Sequence, residues 1–255
     1  MLHLRLLGPL DIRSDNGAAI DDVLRQPKRA ALLVRLACLP DGHFHRRDTL
    51  LAMFWPELDA DRARDALNTA LRFLRKSLGD SVVVSRGDED VGLASGTCET
   101  DTAAFAAALQ ARRFADAVDL YRGDFLHALH VDDSPGFEEW SSLERDRLRD
   151  QAVSALRTLT DQAVTQGDGP VALMWARRAY ALLPFEERVI RRLIEVLHGI
   201  GDAPGALRVY EEFARRLRAD LGGEPSEKTR AAAERVRRGL PPAVLLSSSG
   251  GQPGG

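Results

Sequence analysis

Residues 63–79 have the types and spacing of a helix with one apolar and one basic side. Leucines at positions 67, 71, 74 and 78 recur at three- and four-residue intervals, which predicts a buried stripe. The polar residues between them that we expect to face outward are Asn68, Arg72, Arg75 and Lys76. Arginine and lysine bind phosphates, while arginine and asparagine also form paired hydrogen bonds with base edges in a major groove. The same pattern fits the solvated face of an ordinary amphipathic helix, so the surrounding elements must decide between the two interpretations.

Length and composition set broad limits on the protein. A chain of 255 residues is long enough for two domains, and its 44% hydrophobic content excludes global disorder. The net charge is −3, and residues 1–100 contain 14 Lys and Arg against 15 Asp and Glu. Overall charge therefore gives no support for nucleic-acid binding, which would have to rest on local placement. The sequence lacks a secretory signal and an apolar run of 18 residues, so we expect a cytoplasmic protein with no membrane partner.

The first hundred residues mix short strands with helices. Alternating runs at 3–8 and 10–13 predict a small N-terminal sheet, and helices are predicted over 27–39, 47–54 and 61–78. Two valine-containing runs, at 82–84 and 91–93, flank a polar turn and predict a hairpin. Strands, three helices and a hairpin form the order of a winged helix-turn-helix, whose third helix enters the major groove.

From residue 101 onward the chain has helical periodicity, in segments 103–109, 114–121, 137–165, 171–183, 186–199 and 203–221. Residues 167–173 align with 201–207 at an offset of 34, the period of tetratricopeptide helix pairs. An irregular α-bundle is the alternative, and both interpretations give an interaction domain.

The predicted fold class is thus an α+β N-terminal winged helix-turn-helix domain followed by an all-α, tetratricopeptide-like helical repeat domain. We place the first at residues 1–96 and the second at 97–240. Residues 241–255 are rich in Gly, Pro and Ser, and are predicted to be a flexible linker or tail.

Several short motifs occur together in one order. They are residues 4–8, 28–33, 47–50 with 54–56, 63–79, Asp101 with Phe105, 120–126 and 222–226. Over residues 2–235 the sequence therefore resembles the bacterial transcriptional activator domain regulators, which include the Streptomyces antibiotic regulatory proteins. The resemblance implies binding to double-stranded promoter DNA, commonly at direct repeats, and recruitment of RNA polymerase to activate transcription. It also implies that the all-α domain mediates homodimer formation or other protein contacts.

Within this interpretation, the exposed residues receive different roles. We assign Asn68, Thr69 and Arg72 to base edges, and Arg64, Arg75 and Lys76 to phosphates, which position the protein without reading sequence. Arg47 and Arg62, near the starts of two helices, are weaker candidates for contacts with the DNA backbone, and Arg86 is the cation of the hairpin turn.

Some residues depart from the pattern. Family members often have an arginine where this chain has Asn68, so the base preference should differ. Asp65 would repel phosphate unless it bonds a cytosine amino group or pairs with Arg64. The hairpin turn also contains Asp88, Glu89 and Asp90, so the wing is expected to contribute little to DNA binding.

Other functions have less support in the sequence. The chain has no GxxxxGK[ST] or GxGxxG motif, so no catalytic or cofactor-binding residues are predicted and an enzyme is not expected. No metal site is assigned: His43 and His45 fall in a predicted loop, as solvated or helix-capping residues. His127 and His130, at helix-compatible spacing, leave a metal site as a minor alternative.

Three further alternatives stay open. The main competing function is a repeat-type protein scaffold whose winged helix does not bind DNA specifically, and a hydrolase within the helical region is a distant third. Trp55 is predicted to pack between helices, with polymerase contact as the alternative. Cys38 lies in an apolar run and is predicted to be a buried thiol.

Overall fold

The computed structural model describes residues 1–242, which form a mostly helical chain with two small sheets. The strands are β1 (Leu2–Arg5), β2 (Asp11–Ser14), β3 (Phe44–Arg46), β4 (Val83–Arg86), β5 (Asp90–Leu93) and β6 (Cys98–Thr100). The helices are α1 (Asp21–Leu24), α2 (Pro27–Ala37), α3 (Arg47–Phe54), α4 (Ala60–Leu78), α5 (Asp101–Gln110), α6 (Phe114–Leu120), α7 (Pro135–Thr165), α8 (Gly169–Leu182), α9 (Glu187–Gly199), α10 (Ala203–Leu221) and α11 (Glu227–Arg237). Of the tail predicted at 241–255, residues 243 onward lie outside the described part.

The first sheet has the order β2-β1-β6. Antiparallel pairing of Leu4 with Ile12 confirms the predicted N-terminal strands. The third strand was not predicted: β6 runs parallel to β1, with Cys98 opposite Leu2. Its three residues are too few to produce a recognisable alternation, and only the partner strand stabilises them in an extended conformation.

The second sheet has the order β3-β5-β4 and contains the predicted hairpin. Arg86 lies opposite Asp90 across the turn, and Gly87 has a φ of 60°, a conformation that favours glycine. The prediction of a loop at His45 was wrong, because that residue lies in β3 opposite Val91 and is buried. Pairing with β5 holds β3 extended up to Arg46, directly before α3 begins.

The chain groups into two compact units, residues 1–149 and the residues from 150 onward. In the first unit, the carboxylate of Asp101 accepts hydrogen bonds from the backbone N–H groups of Leu6 (2.8 Å) and Leu7 (3.0 Å). Nearby, the N–H of Leu126 donates to the carbonyl of Leu6 at 2.8 Å. These bonds hold the start of the chain against segments beyond residue 100. The domain boundary predicted between residues 96 and 97 stays a prediction.

In the second unit, two helices begin in the same way, 34 residues apart. Asp168 caps α8 by accepting from the N–H of Val171, and Asp202 caps α10 by accepting from the N–H of Gly205. The glycine before each aspartate has a positive φ, 75° at residue 167 and 86° at residue 201. A shared apolar core includes Ile190, Leu193, Ile194, Leu197 and Phe213. The sequence offset thus corresponds to a repeated local structure.

Helix α11 was not among the predicted segments. It contains mostly alanine and charged residues, and its buried side chains are Thr229, Ala233 and Val236, so it has few large apolar residues to reveal a buried stripe. Within residues 1–242, no helix combines the length and the apolar character needed to cross a membrane.

Candidate nucleic-acid interface

Helix α4 has clear start and stop signals. The Asp59 carboxylate accepts a hydrogen bond from the N–H of Arg62 at 3.0 Å, and Gly79 ends the helix with a φ of 102°. The buried stripe comprises Ala63, Leu67, Ala70, Leu71 and Leu74. Leu78, predicted as part of this core, is only half-buried. The stripe includes two alanines, Ala63 and Ala70, whose small side chains allow neighbouring elements to pack closely.

The opposite side of α4 is an exposed polar strip formed by Asn68, Thr69, Arg72 and Lys76. Arg72 lies three residues after Thr69 and four after Asn68, and Lys76 lies four residues after Arg72, so these side chains are neighbours on the helix surface. Within residues 1–242, the side chains of Thr69, Arg72 and Lys76 make no hydrogen bond or ion pair. Their donors are therefore available to a ligand.

Asn68 and Arg47, predicted separately, are brought together across 21 residues of sequence. The Arg47 guanidinium Nη1 donates to Asn68 Oδ1 at 2.7 Å. Arg47 is the first residue of α3 and is half-buried, and its backbone N–H donates to the carbonyl of Glu89 at 2.7 Å. Its Nε is buried and has no partner among the described residues.

The first turns of α4 contain two local ion pairs. Arg64 pairs with Asp61 at 3.3 Å, and Arg62 pairs with Asp59 at the same distance. The pairing considered between Arg64 and Asp65 does not occur, because Arg64 pairs instead with the carboxylate three residues before it. Such exposed pairs contribute at most about 1 kcal/mol each, so a phosphate could displace them.

Arg75 connects α4 to the hairpin. Its Nε donates to the carbonyl oxygen of Val83 at 2.9 Å, and its Nη2 donates to Ser85 Oγ at 3.0 Å. The side chain is half-buried. A phosphate contact by Arg75 stays a prediction, and it would compete with these two bonds.

The cations of β3 and β4 each contact another residue of the same sheet or of its turn. The Arg86 guanidinium lies 4.1 Å from the centre of the Phe44 ring, and Arg46 pairs with Glu89 at 2.8 Å. Asp88, at the tip, is exposed and has no ion pair among residues 1–242. The tip therefore presents more negative than positive charge.

A second basic cluster, at the start of α2, was not predicted from the sequence. The Arg29 guanidinium lies 4.2 Å from the centre of the Phe73 ring, and the Lys28 ammonium lies 5.8 Å from that of Trp55. Both residues border a groove that Thr69 also lines. The two adjacent basic residues after Pro27 could have indicated this cluster. Their position beside α4, however, depends on how the helices pack and cannot be predicted from local sequence. Trp55 is 9% exposed, which confirms its predicted packing role.

The histidines occupy different environments. Burial, together with the nearby Arg35 charge, lowers the pKa of His45 to about 4. His43 is exposed, and its Nδ1 lies 3.2 Å from the carbonyl of Asp41. His127 and His130 are not on a helix, and His130 lies 3.3 Å from Glu138. Across the described part of the chain, no group of three or more His, Cys, Asp or Glu is arranged to hold a metal ion.

The cysteines at positions 38 and 98 are free and half-buried. Burial raises the pKa of each thiol to about 12, so both are neutral at physiological pH.

Known proteins resemble this chain over nearly its whole length. It is 28% identical over 262 residues to the regulatory protein AfsR of Streptomyces coelicolor, covering 97% of this chain but 25% of AfsR. It is 26% identical over 259 residues to the transcriptional regulatory protein MoaR1 of Mycobacterium tuberculosis, covering 94% of this chain and 80% of MoaR1. The chain thus spans about a quarter of the length of AfsR.

A solved structure has a similar fold. Mycobacterium tuberculosis EmbR, determined in complex with a low-affinity phosphopeptide, superimposes with a TM-score of 0.67 at 23% identity. The match covers 94% of this chain and 66% of EmbR. The sequence model of the bacterial transcriptional activator domain family matches residues 93–237, which is more than half of the chain. The chain therefore belongs to the bacterial transcriptional activator domain family and resembles the Streptomyces antibiotic regulatory proteins.

Proposed function

We propose that this protein is a sequence-specific DNA-binding transcriptional regulator that acts as an activator. Residues 1–96 form its winged helix-turn-helix, in which α4 is the recognition helix and the β4–β5 hairpin is the wing. Residues 97–240 form a tetratricopeptide-like domain that contacts RNA polymerase or a second copy of the chain bound at a direct repeat.

The observation that carries the proposal is the exposed strip of α4. Thr69, Arg72 and Lys76 present free donors, and Asn68 lies beside them. An α-helix fits the major groove of B-DNA, where base edges present acceptors to side chains of these types. Arg72 and Thr69 are assigned to bases, and Lys76 to a phosphate.

The supporting basic residues are assigned to the DNA backbone. They are Arg64 and Arg47 near the starts of α4 and α3, Arg75, Arg86 in the hairpin, and Lys28 and Arg29 at the start of α2. Stacking on Phe73 and Phe44 holds Arg29 and Arg86 in place while leaving their N–H groups at the ring edges. Backbone contacts of this kind fix register without carrying sequence information.

Family membership and the names of the relatives support regulation of transcription as the role of the chain. The paired helices of the second unit support protein contact, because stacked helical repeats provide extended binding surfaces.

A second candidate is a protein-interaction scaffold without specific DNA binding. It is favoured by the balance of charge in residues 1–100, 14 basic against 15 acidic, and by the free carboxylates of Asp65 and Asp88 beside the strip. DNA-binding domains usually carry an excess of basic residues. Residues 1–100 have no such excess, which favours the scaffold.

A binding experiment separates the two candidates. The full chain is titrated into labelled genomic fragments in a mobility-shift assay, over a salt series and with excess random DNA as competitor. Retained affinity for particular fragments, lost on Arg72→Ala, is the expected result. Uniformly weak binding, or none, would favour the scaffold.

A further inference from the structure

Asp65 lies on the outermost line of α4. It is two residues from both Ala63 and Leu67, which are buried, and each residue of a helix turns the chain by about 100°. The Asp65 side chain is therefore about 160° around the helix from each of them and faces away from the core. Arg72 follows seven residues later, close to two full turns, so the two side chains lie almost in line, about 10 Å apart along the axis.

The carboxylate of Asp65 has no partner in the described part of the chain. The side chain is exposed, and it makes no hydrogen bond or ion pair there. The two arginines nearest to it in the sequence are engaged elsewhere, because Arg62 pairs with Asp59 and Arg64 pairs with Asp61. The negative charge of Asp65 is thus left uncompensated on the outer side of α4.

A carboxylate in this position restricts what α4 can face. An ionised aspartate only accepts hydrogen bonds, and its charge repels phosphate. With α4 in a major groove, its outermost line faces the base edges. Guanine presents two acceptors there, and thymine presents an acceptor and a methyl group. The donors on these edges are the amino groups of cytosine and adenine, so Asp65 requires one of these two bases.

Cytosine fits the carboxylate better than adenine does. Cytosine presents only its N4 donor in the major groove, whereas adenine presents the N7 acceptor beside its N6 donor. One oxygen of Asp65 can accept from either amino group. On adenine, however, the second oxygen would lie near N7, and two acceptors repel each other.

We propose that Asp65 is a specificity-determining residue that accepts a hydrogen bond from the N4 amino group of a cytosine in the recognised site. The inference rests on the proposed function, because it requires α4 to lie in a major groove. The carboxylate gains one hydrogen bond at the correct base, while its repulsion of phosphates and acceptor edges disfavours other sequences. It thus lowers affinity for DNA in general and increases the difference between sites.

Two substitutions should have different effects. In Asp65→Asn the amide both accepts and donates, which matches N6 and N7 of adenine, so the preferred base should change from cytosine to adenine by about tenfold in relative affinity. In Asp65→Ala the preference at this position should be lost. Affinity for random DNA should rise about two- to fivefold in Asp65→Ala, because one repulsive charge is removed.

The test is selection of binding sites from a random duplex library by the full chain and by each variant, followed by titration of selected and random DNA. Asp21→Asn, which removes an exposed carboxylate of α1 outside the proposed interface, is the control for change of charge. Arg72→Ala should relax a different position of the same site, because its side chain lies about 10 Å further along α4. Circular dichroism checks that every variant is folded.

The outcomes separate the inference from the proposed function. If the wild-type chain selects no sequence, both are overturned. If it selects a site and neither Asp65 variant changes the preference at any position, the inference alone is overturned. Equal gains in affinity for selected and random DNA in both variants would show that Asp65 acts only by repulsion, which also overturns the inference. A change from cytosine to adenine in Asp65→Asn, with loss of the preference in Asp65→Ala, supports it.

Discussion

The exposed strip of α4 and the β4–β5 hairpin contain similar residue types, yet they differ in the donors and carboxylates that surround their basic side chains. On α4, the donors of Thr69, Arg72 and Lys76 are unused within the described chain. In the hairpin, Arg86 is stacked on Phe44, and the turn adds the carboxylates of residues 88–90. The carboxylates beside the cation, and not the count of basic residues, separate the hairpin from the strip.

The difference explains how a domain of nearly neutral charge could bind DNA. Cations that pair with carboxylates of their own domain lose part of their attraction for phosphate, and exposed carboxylates repel it. A short strip with free donors can bind DNA even though the net charge of residues 1–100 is close to zero. We therefore expect affinity to depend on the middle of α4 and little on the wing.

The strongest test of this comparison is Arg72→Ala, on the free side of α4. It should weaken binding to the selected site by about 1–3 kcal/mol and relax the preference at one base position. Arg25→Ala removes the same charge away from the strip and should have little effect. Equal effects of the two substitutions, measured by fluorescence anisotropy, would refute the special role of the strip.

The base of the hairpin should be sensitive to pH. His45 pairs in β3 with Val91, and its pKa falls from 6.5 to about 4 on folding. The unfolded chain therefore binds a proton that the folded chain excludes, and the unfolding free energy should fall by about 2.5 kcal/mol as the pH drops from 6.5 to 4. Urea denaturation of wild type and His45→Gln across this range gives the difference. A wild-type slope equal to that of the variant would contradict the prediction.

Arg75 tests the connection between the two regions. Arg75→Ala removes the hydrogen bonds to Val83 and Ser85 and should lower the unfolding free energy by about 1 kcal/mol. Ser85→Ala removes one of the two bonds and should cost less. If stability is unchanged while DNA affinity falls as much as in Arg72→Ala, Arg75 contacts phosphate directly.

Lys76 should act without regard to sequence. Lys76→Ala should weaken all DNA by a similar factor, about two- to fivefold, and reduce the salt slope of log affinity by about one. The measurement is a salt titration on the selected site and on random DNA. A larger loss on one of the two would assign Lys76 to a base.

The smallest effect is expected at the wing. Neutralising its tip with Asp88→Asn and Glu89→Gln should raise affinity by about two- to threefold, because repulsion of phosphate is reduced and Arg46 is released. The matched control is Asp21→Asn with Asp22→Asn. A loss of affinity in the tip variant would show that the acidic turn contributes to binding.

Much of the local structure could be predicted from the sequence. Apolar spacing and end signals gave α2, α3 and α4, and two valine runs around a glycine gave the hairpin, all of which the structure confirms. Short strands were harder: β3 and β6 have three residues each, and their extended conformation depends on pairing with distant strands. His45 was misplaced for that reason.

The candidate site was predictable as a set of residues but not as a set of contacts. Sequence spacing identified the outward strip of α4, because helical periodicity is a local property. It could not reveal that Arg47 donates to Asn68, or that Lys28 and Arg29 border the groove next to Thr69. Those relations depend on side-chain reach and on packing between elements.

The sequence by itself determined the two-sided character of α4 and the repeated capped starts of α8 and α10. Both follow from interactions within a few residues, namely apolar spacing and aspartates that accept from nearby N–H groups. Only the tertiary structure decided that Arg47 meets Asn68 and that Arg75 bonds the hairpin. These contacts join residues on different elements, and their geometry is fixed by the core that packs those elements together.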